Sequence, residues 1–250
     1  MTTIRPLVAG NWKMNGTTAN LKEARLLAAM LRDVKLKCDV TICPPATLIR
    51  RAKGVMKGSK IKLGGQDCHA AVSGAHTGDI SADMLKDAGA TSVIVGHSER
   101  RTNHKETDAM VSAKAQAAHK AGLRAIICVG ETLDERKGNK ALEVLTTQLK
   151  GSVPAGSTAA NTVIAYEPVW AIGTGLTATA KEVEEAHAHI RAELSKVMGE
   201  EGAGARILYG GSVKGSNAAE LMGVPNVNGA LVGGASLKAV DFIGILKAYL

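Results

Sequence analysis

The chain has 250 residues and carries 31 Lys and Arg against 23 Asp and Glu, for a net charge of +8 and a sequence pI near 9.4. With 45% hydrophobic but only 2% aromatic residues, the core must be built largely from Ala, Val, Leu and Ile, the residues that fill parallel strands and their covering helices. Four cysteines without a C-x-x-C pair exclude a disulfide scaffold and read as reduced thiols. The first ten residues lack the apolar core of a signal peptide, and no stretch approaches the roughly 18 apolar residues of a membrane span, so a soluble, cytoplasmic protein is expected, with no membrane partner. The densest basic stretch, Arg50–Lys62, has neither interleaved aromatics nor a nucleic-acid motif. It reads as a solvated outer helix, no nucleic-acid partner is expected, and the positive field suits a small anionic ligand.

Along the chain, short β-branched runs alternate with longer segments of helical period. The runs are Leu7–Gly10, Val40–Cys43, Ile61–Gly64, Ser92–Val95, Ala125–Val129, Val163–Tyr166, Ile207–Tyr209 and Ala230–Val232. Between them lie one-sided patterns such as Leu21, Ala24, Ala28, Leu31 and Val183, Ala186, Ile190, Leu194, Val197, each stepping by three or four. Strict alternation implies a parallel sheet covered by helices, and eight repeats favour a closed (β/α)8 barrel over a doubly wound sheet. Nothing marks a domain boundary, so residues 1–250 are expected to form a single catalytic barrel domain.

On such a barrel, ligands sit beyond the C-terminal strand ends. The residues there are Asn11 and Lys13 after the first run, His97-Ser98-Glu99-Arg100-Arg101 after the fourth, and Glu167 after the sixth. Gly210-Gly211-Ser212 follows the seventh, and Gly233-Gly234-Ala235-Ser236 the eighth. The last two loops offer unobstructed backbone N–H groups where phosphates are commonly held on this fold, which points to a phosphorylated small molecule. Glu167 ends an apolar strand whose last side chain is expected to reach solvent, and a segment stiff at Pro168 and Trp170 but free at Gly173 and Gly175 follows, composed as a lid.

A glycine pattern at Gly173, Gly175 and Ala178 mimics a dinucleotide fingerprint, but Glu-Pro-Val-Trp-Ala-Ile intervenes between strand and glycine. No P-loop occurs, and no cofactor is expected. Cys68, His69 and His76 are too few for a metal site, and none is expected. With no nucleophile motif, Glu167 beside His97 points to proton transfer from carbon next to a carbonyl, with Lys13 stabilising the oxyanion.

The segments Gly10-Asn11-Trp12-Lys13-Met14-Asn15, Gly96-His97-Ser98-Glu99-Arg100-Arg101, Ala165-Tyr166-Glu167-Pro168-Val169-Trp170-Ala171-Ile172-Gly173-Thr174-Gly175 and Tyr209-Gly210-Gly211-Ser212-Val213 resemble the triosephosphate isomerase family over essentially the whole chain. The resemblance implies cofactor-free interconversion of dihydroxyacetone phosphate and D-glyceraldehyde 3-phosphate through an enediolate, as in glycolysis and gluconeogenesis. It implies Glu167 as base, neutral His97 as electrophile, Lys13 and Asn11 at the substrate oxygens, and Glu99 balancing Lys13. Amides of Gly173, Ser212, Gly233 and Gly234 would hold the phosphate, beneath a lid running Pro168-Val169-Trp170-Ala171-Ile172-Gly173-Thr174-Gly175-Leu176-Thr177-Ala178. A homodimer is also implied, with Thr77, Asp79 and Arg100 at its interface and the Gly74–Asp79 loop inserted into the partner. The family's usual Phe and Glu in that loop are here His76 and Asp79, Asp67 stands where Asn is usual, and Leu176 where Lys is frequent. Two rival readings are a barrel acting on a larger sugar or indole phosphate, and a non-catalytic protein that keeps the fold; the latter fits poorly with Lys13, His97 and Glu167 all present.

Overall fold

The computed structural model describes residues 4–174 and 176–250; the expected lid glycine Gly175 lies outside the described residues. Eight parallel strands close into a barrel in chain order: β1 (Leu7–Asn11), β2 (Asp39–Cys43), β3 (Lys62–Gly65), β4 (Ser92–Val95), β5 (Arg124–Val129), β6 (Thr162–Tyr166), β7 (Arg206–Tyr209) and β8 (Gly229–Val232). Closure is made by β1 beside β8, with Leu7 opposite Gly229. A Cβ at Gly229 would sit 1.8 Å from the Leu7 carbonyl oxygen, and its φ is +128°, so only glycine allows this approach. All eight strands match the sequence reading to within about a residue.

Around the barrel lie α1 (Leu21–Met30), α2 (Ala46–Val55), α3 (Ala82–Ala88), α4 (Ser98–Asn103), α5 (Asp108–Lys120) and α6 (Leu133–Lys137). They are followed by α7 (Ala141–Ser152), α8 (Ala180–Met198), α9 (Glu200–Gly204), α10 (Ala218–Met222) and α11 (Ala239–Leu246). In α8 the buried set Val183, Ala186, Ile190 and Leu194 is the amphipathic stripe legible in the sequence, and a capping box between Thr179 and Glu182 starts the helix. The basic stretch Arg50–Lys62 is not one outer helix. The helix α2 stops at Val55, and Lys62 opens β3, so Lys60 and Lys62 stand at the N-terminal end of the barrel.

Strand alternation divides the apolar residues into two layers. Leu7, Ala9, Cys43, Ile94, Ile126, Cys128, Val163, Ala165, Leu208 and Leu231 fill the barrel interior. Val8, Val93, Ile127, Ile164, Ile207 and Val232 face the helices. The inward parity of Leu7 and Ala9 continues to Asn11, and that of Val163 and Ala165 continues to Glu167, which is how both side chains come to overhang the barrel axis. All four cysteines are buried free thiols. Among the described residues no helix is long and apolar enough to cross a membrane.

Candidate active site

At the C-terminal mouth a cavity of about 310 Å3 is lined by Asn11, Lys13, His97, Glu167, Ile172 and Gly173, and on its other side by Gly210–Lys214 and Gly233–Ala235. It gathers Asn11, Lys13, His97, Glu167, Gly173, Ser212, Gly233 and Gly234, residues spread over more than 220 positions of sequence. Glu99 stands outside this lining and reaches it through Lys13.

Lys13 sits in the left-handed region at φ 54°, unusual for a residue with a side chain. Its conformation is held from both ends: the Lys13 N–H donates to Asn11 Oδ1 at 3.0 Å, and its carbonyl accepts from Gln66 Nε2 at 2.9 Å. Asn11 thereby spends its oxygen on the backbone and keeps its NH2 for a ligand. Lys13 Nζ donates to Glu99 Oε1 at 2.5 Å, with both side chains partly exposed. Trp12 ties this loop to the eighth-strand loop by donating from Nε1 to the Ser236 carbonyl at 3.0 Å.

Glu167 is 2% exposed, so the strand end does not deliver it to solvent as expected from sequence. The turn into α4 covers it: Glu167 Oε2 accepts from the Ser98 N–H at 3.0 Å, and Oε1 lies 2.9 Å from His97 Nε2. Burial opposes its ionisation, but the His97 charge and hydrogen bond together with the Ser98 N–H outweigh this, holding its pKa below the ordinary value. A third close approach comes from the end of β5, where a Cβ on Gly130 would lie 1.7 Å from the Glu167 carbonyl oxygen.

His97 caps α4, with Nδ1 accepting the Glu99 N–H at 3.2 Å. Burial lowers its pKa, yet the Glu167 charge and hydrogen bond and the Glu99 carboxylate raise it overall. A second proton would have to enter at Nδ1, facing an N–H group already pointing there. In the neutral ring that backbone bond places the hydrogen on Nε2, and in either protonation state His97 presents a donor there to whatever replaces Glu167 as its partner.

The segment after Glu167 begins as a single 3-10 turn, Val169–Ala171, rather than an open loop. It is moored to Glu131, to which the sequence assigned no role. Trp170 Nε1 donates to Glu131 Oε1 at 2.9 Å, Tyr166 OH donates to the same oxygen at 3.1 Å, and the Val169 N–H donates to the Glu131 carbonyl at 3.1 Å. Burial pushes the Glu131 pKa up, and its Oε2 is buried without a partner. Its signal in the sequence was position: Gly130-Glu131 directly follows the fifth run. Ser98, also unassigned from sequence, supplies the second anchor of Glu167. Beyond the turn, Thr174 Oγ1 donates to the Trp170 carbonyl at 2.8 Å, and Leu176 is exposed.

Between Gly74 and Asp79 the chain is exposed throughout, Thr77 included. Arg100 is engaged within its own chain, with Glu106 at 2.5 Å and Asp67 at 3.0 Å, and Lys114 Nζ bonds the same two acids. Asp67 thus serves as a second carboxylate for two cations, a role the amide usual in the resembled family could not fill. Cys68 Sγ turns to the Lys114 carbonyl, while Asp79 joins His69 and His76, their ligand atoms within 4.8 Å of one another.

The closed barrel, with these polar groups converging at its C-terminal mouth, defines the class: the (β/α)8 enzymes. A model of the triosephosphate isomerase family matches residues 6–249. The triosephosphate isomerase of Afipia carboxidovorans is 62% identical over 98% of both chains, and that of Brucella abortus 61% identical over 98% of this chain and 97% of its own. A crystal structure of triosephosphate isomerase from Bartonella henselae superposes with a TM-score of 0.92 at 56% identity, covering 98% of this chain and 99% of that one. The chain belongs to the triosephosphate isomerase family, the family its motifs resemble.

Proposed function

We propose that this protein is a glycolytic and gluconeogenic isomerase that interconverts dihydroxyacetone phosphate and D-glyceraldehyde 3-phosphate by proton transfer, without a cofactor. The observation that carries the reading is the pairing of Glu167 with His97 at 2.9 Å inside the cavity that also holds Lys13 and the two glycine loops.

In the proposed reaction the phosphate lies against the amides of Gly173, Ser212, Gly233 and Gly234, where backbone donors need no side-chain charge. Lys13 and Asn11 bind the substrate oxygens. The Glu167 carboxylate leaves Ser98, takes a proton from the carbon beside the carbonyl, and returns it to the neighbouring carbon. The electron pair of the broken C–H bond forms the C=C bond of an enediolate as the carbonyl π pair moves onto its oxygen. That oxygen, stabilised by Lys13 Nζ, takes the His97 Nε2 proton, and Nε2 takes the hydroxyl proton of the neighbouring carbon, so that the new carbonyl forms there when the carbon proton is returned. Substrate entering the cavity competes with Glu167 for that Nε2–H, so binding frees the base at the moment its partner is claimed. Glu99 acts on Lys13, to which it is bonded. Residues 168–178 serve as a lid that excludes water from the enediolate.

Residues 1–250 act as one catalytic domain in the cytoplasm. The exposed Gly74–Asp79 loop inserts into a second copy, with Thr77, Asp79 and Arg100 at the interface of a homodimer. A coupled assay with D-glyceraldehyde 3-phosphate tests the reaction, and a panel of larger sugar and indole phosphates tests its specificity. Turnover of a larger phosphate ester in place of the triose would overturn the reading.

A further inference from the structure

At the other mouth of the barrel, the first residue of four strands is charged: Asp39 on β2, Lys62 on β3, Arg124 on β5 and Arg206 on β7. Each has inward parity, two or four residues before interior positions such as Cys43, Ile126 and Leu208, or one before helix-facing Leu63. Beside them lies a depression of about 410 Å3, whose lining includes Asp39, Lys60, Lys62, His119, Arg124 and Asn161.

The charges there do not balance. Asp39 is already taken, by Arg5 Nε at 2.8 Å and Arg206 Nη2 at 2.7 Å. Against that one carboxylate stand Arg5, Arg206, Arg124, Lys60 and Lys62. Arg124 spends only Nε, on the Ala160 carbonyl at 3.0 Å, and makes no ion pair among the described residues. Burial and then the nearby Arg206 charge lower its pKa against the opposing pull of Asp39. Arg206 Nη1, at the same end of the barrel but outside the lining of the depression, is buried with no hydrogen-bond partner. Like charges brought together around a concavity, with unused guanidinium donors on Arg124, favour the entry of an anion.

We propose that this N-terminal mouth is a binding site for a compact polyanion, a small molecule carrying two or more phosphate or carboxylate groups, separate from the substrate site. The Arg124 fork suits a bidentate anionic group, and Lys60 and Lys62, exposed on the rim, reach a second one. The depression is too small for a nucleic-acid backbone and bears no Phe, Tyr or Trp for base stacking.

Isothermal titration calorimetry at low salt tests this, with inorganic pyrophosphate in one arm and citrate in the other, each with the catalytic cavity saturated by glycerol phosphate, which has no carbonyl to react. Saturable binding of at least one probe is expected, weakening as salt is raised. The arm that binds more tightly identifies the phosphate or carboxylate class. The surface variant K60A/K62A should bind about tenfold more weakly, the loss of roughly one charge-assisted hydrogen bond, and adding Arg124→Gln should abolish binding. Isomerase kcat and KM should stay at the wild-type values in K60A/K62A. Absence of saturable binding to wild type in both arms would overturn the proposal, and so would unchanged affinity in K60A/K62A.

Discussion

The Nε2 of His97 lies 2.9 Å from Oε1 of Glu167, while the far nitrogen of the same ring accepts the Glu99 N–H. In the proposed mechanism one imidazole therefore holds the base in its resting pose and carries the proton that a substrate carbonyl needs. Removing one preorganised oxyanion donor costs about 10²–10³ in kcat, and that is the fall expected for His97→Gln. Lys13→Met should in addition weaken binding of phosphate-bearing inhibitors, because it removes a cation that lines the cavity beside Asn11 and His97. Inhibition constants measured for both variants separate the two roles, and unchanged affinity in Lys13→Met would contradict its place beside the ligand.

The turn Val169–Ala171 is anchored through Trp170 and Glu131, whereas Ile172 and Gly173 border the cavity. Deleting 172–175 should leave the barrel folded and the circular dichroism spectrum unchanged. Turnover should fall, and the exposed enediolate should shed inorganic phosphate with methylglyoxal as co-product. Normal turnover with no phosphate release would show the segment to be a mere connection.

The proposed homodimer is built on the loop that carries Thr77, which is exposed in the single chain. Analytical ultracentrifugation should give a dimer for the wild type and monomers of low activity for Thr77→Arg, whose longer charged side chain would have to be buried unpaired at the interface. A fully active monomer at nanomolar concentration contradicts this.

His187 supplies a pH dependence of stability independent of catalysis. It is fully buried and edge-on to Tyr166 at 5.7 Å; its Nδ1 pairs with the Asn226 carbonyl at 3.2 Å, and its Nε2 has no partner. Burial, the largest influence, pushes its pKa from 6.5 down to about 4. Below pH 6.5 the unfolded chain protonates this group and the folded one does not, so its contribution to stability is intact above 6.5 and lost as pH falls toward 4. The loss reaches about 3 kcal/mol, because each pH step between the unfolded and folded pKa values removes about 1.4 kcal/mol. Denaturant unfolding between pH 7.5 and 4 should show that slope, and His187→Asn should flatten it at the expense of some packing.

The eight strands were legible because β-branched runs alternate with long amphipathic segments, and parallel strands buried on both faces leave little else to read. Asn11, Lys13, His97 and Glu167 were legible because function on a closed barrel collects just past the strand ends. The burial of Glu167 was not. It depends on Ser98 and His97, 69 and 70 positions earlier, folding back over it, which local pattern does not encode. Glu131 was missed because its role is to receive Trp170 and Tyr166 from 39 and 35 positions away. The charge at the opposite mouth was misread for a related reason: Lys60 and Lys62 are neighbours of α2 in sequence, but of Arg124 and Asp39 in space.

Glu167 as the base is the centre of the proposed mechanism, and the coupled assay with D-glyceraldehyde 3-phosphate on wild type, Glu167→Asp and Glu167→Ala tests it most directly. Shortening the side chain retracts the carboxylate by about 1 Å, for which a loss on the order of 10²-fold is expected, mainly in kcat. Removing it should cost more, up to the roughly 10²–10⁴-fold that a positioned base contributes. Turnover near wild type in both variants, with circular dichroism showing both folded, would contradict the assignment.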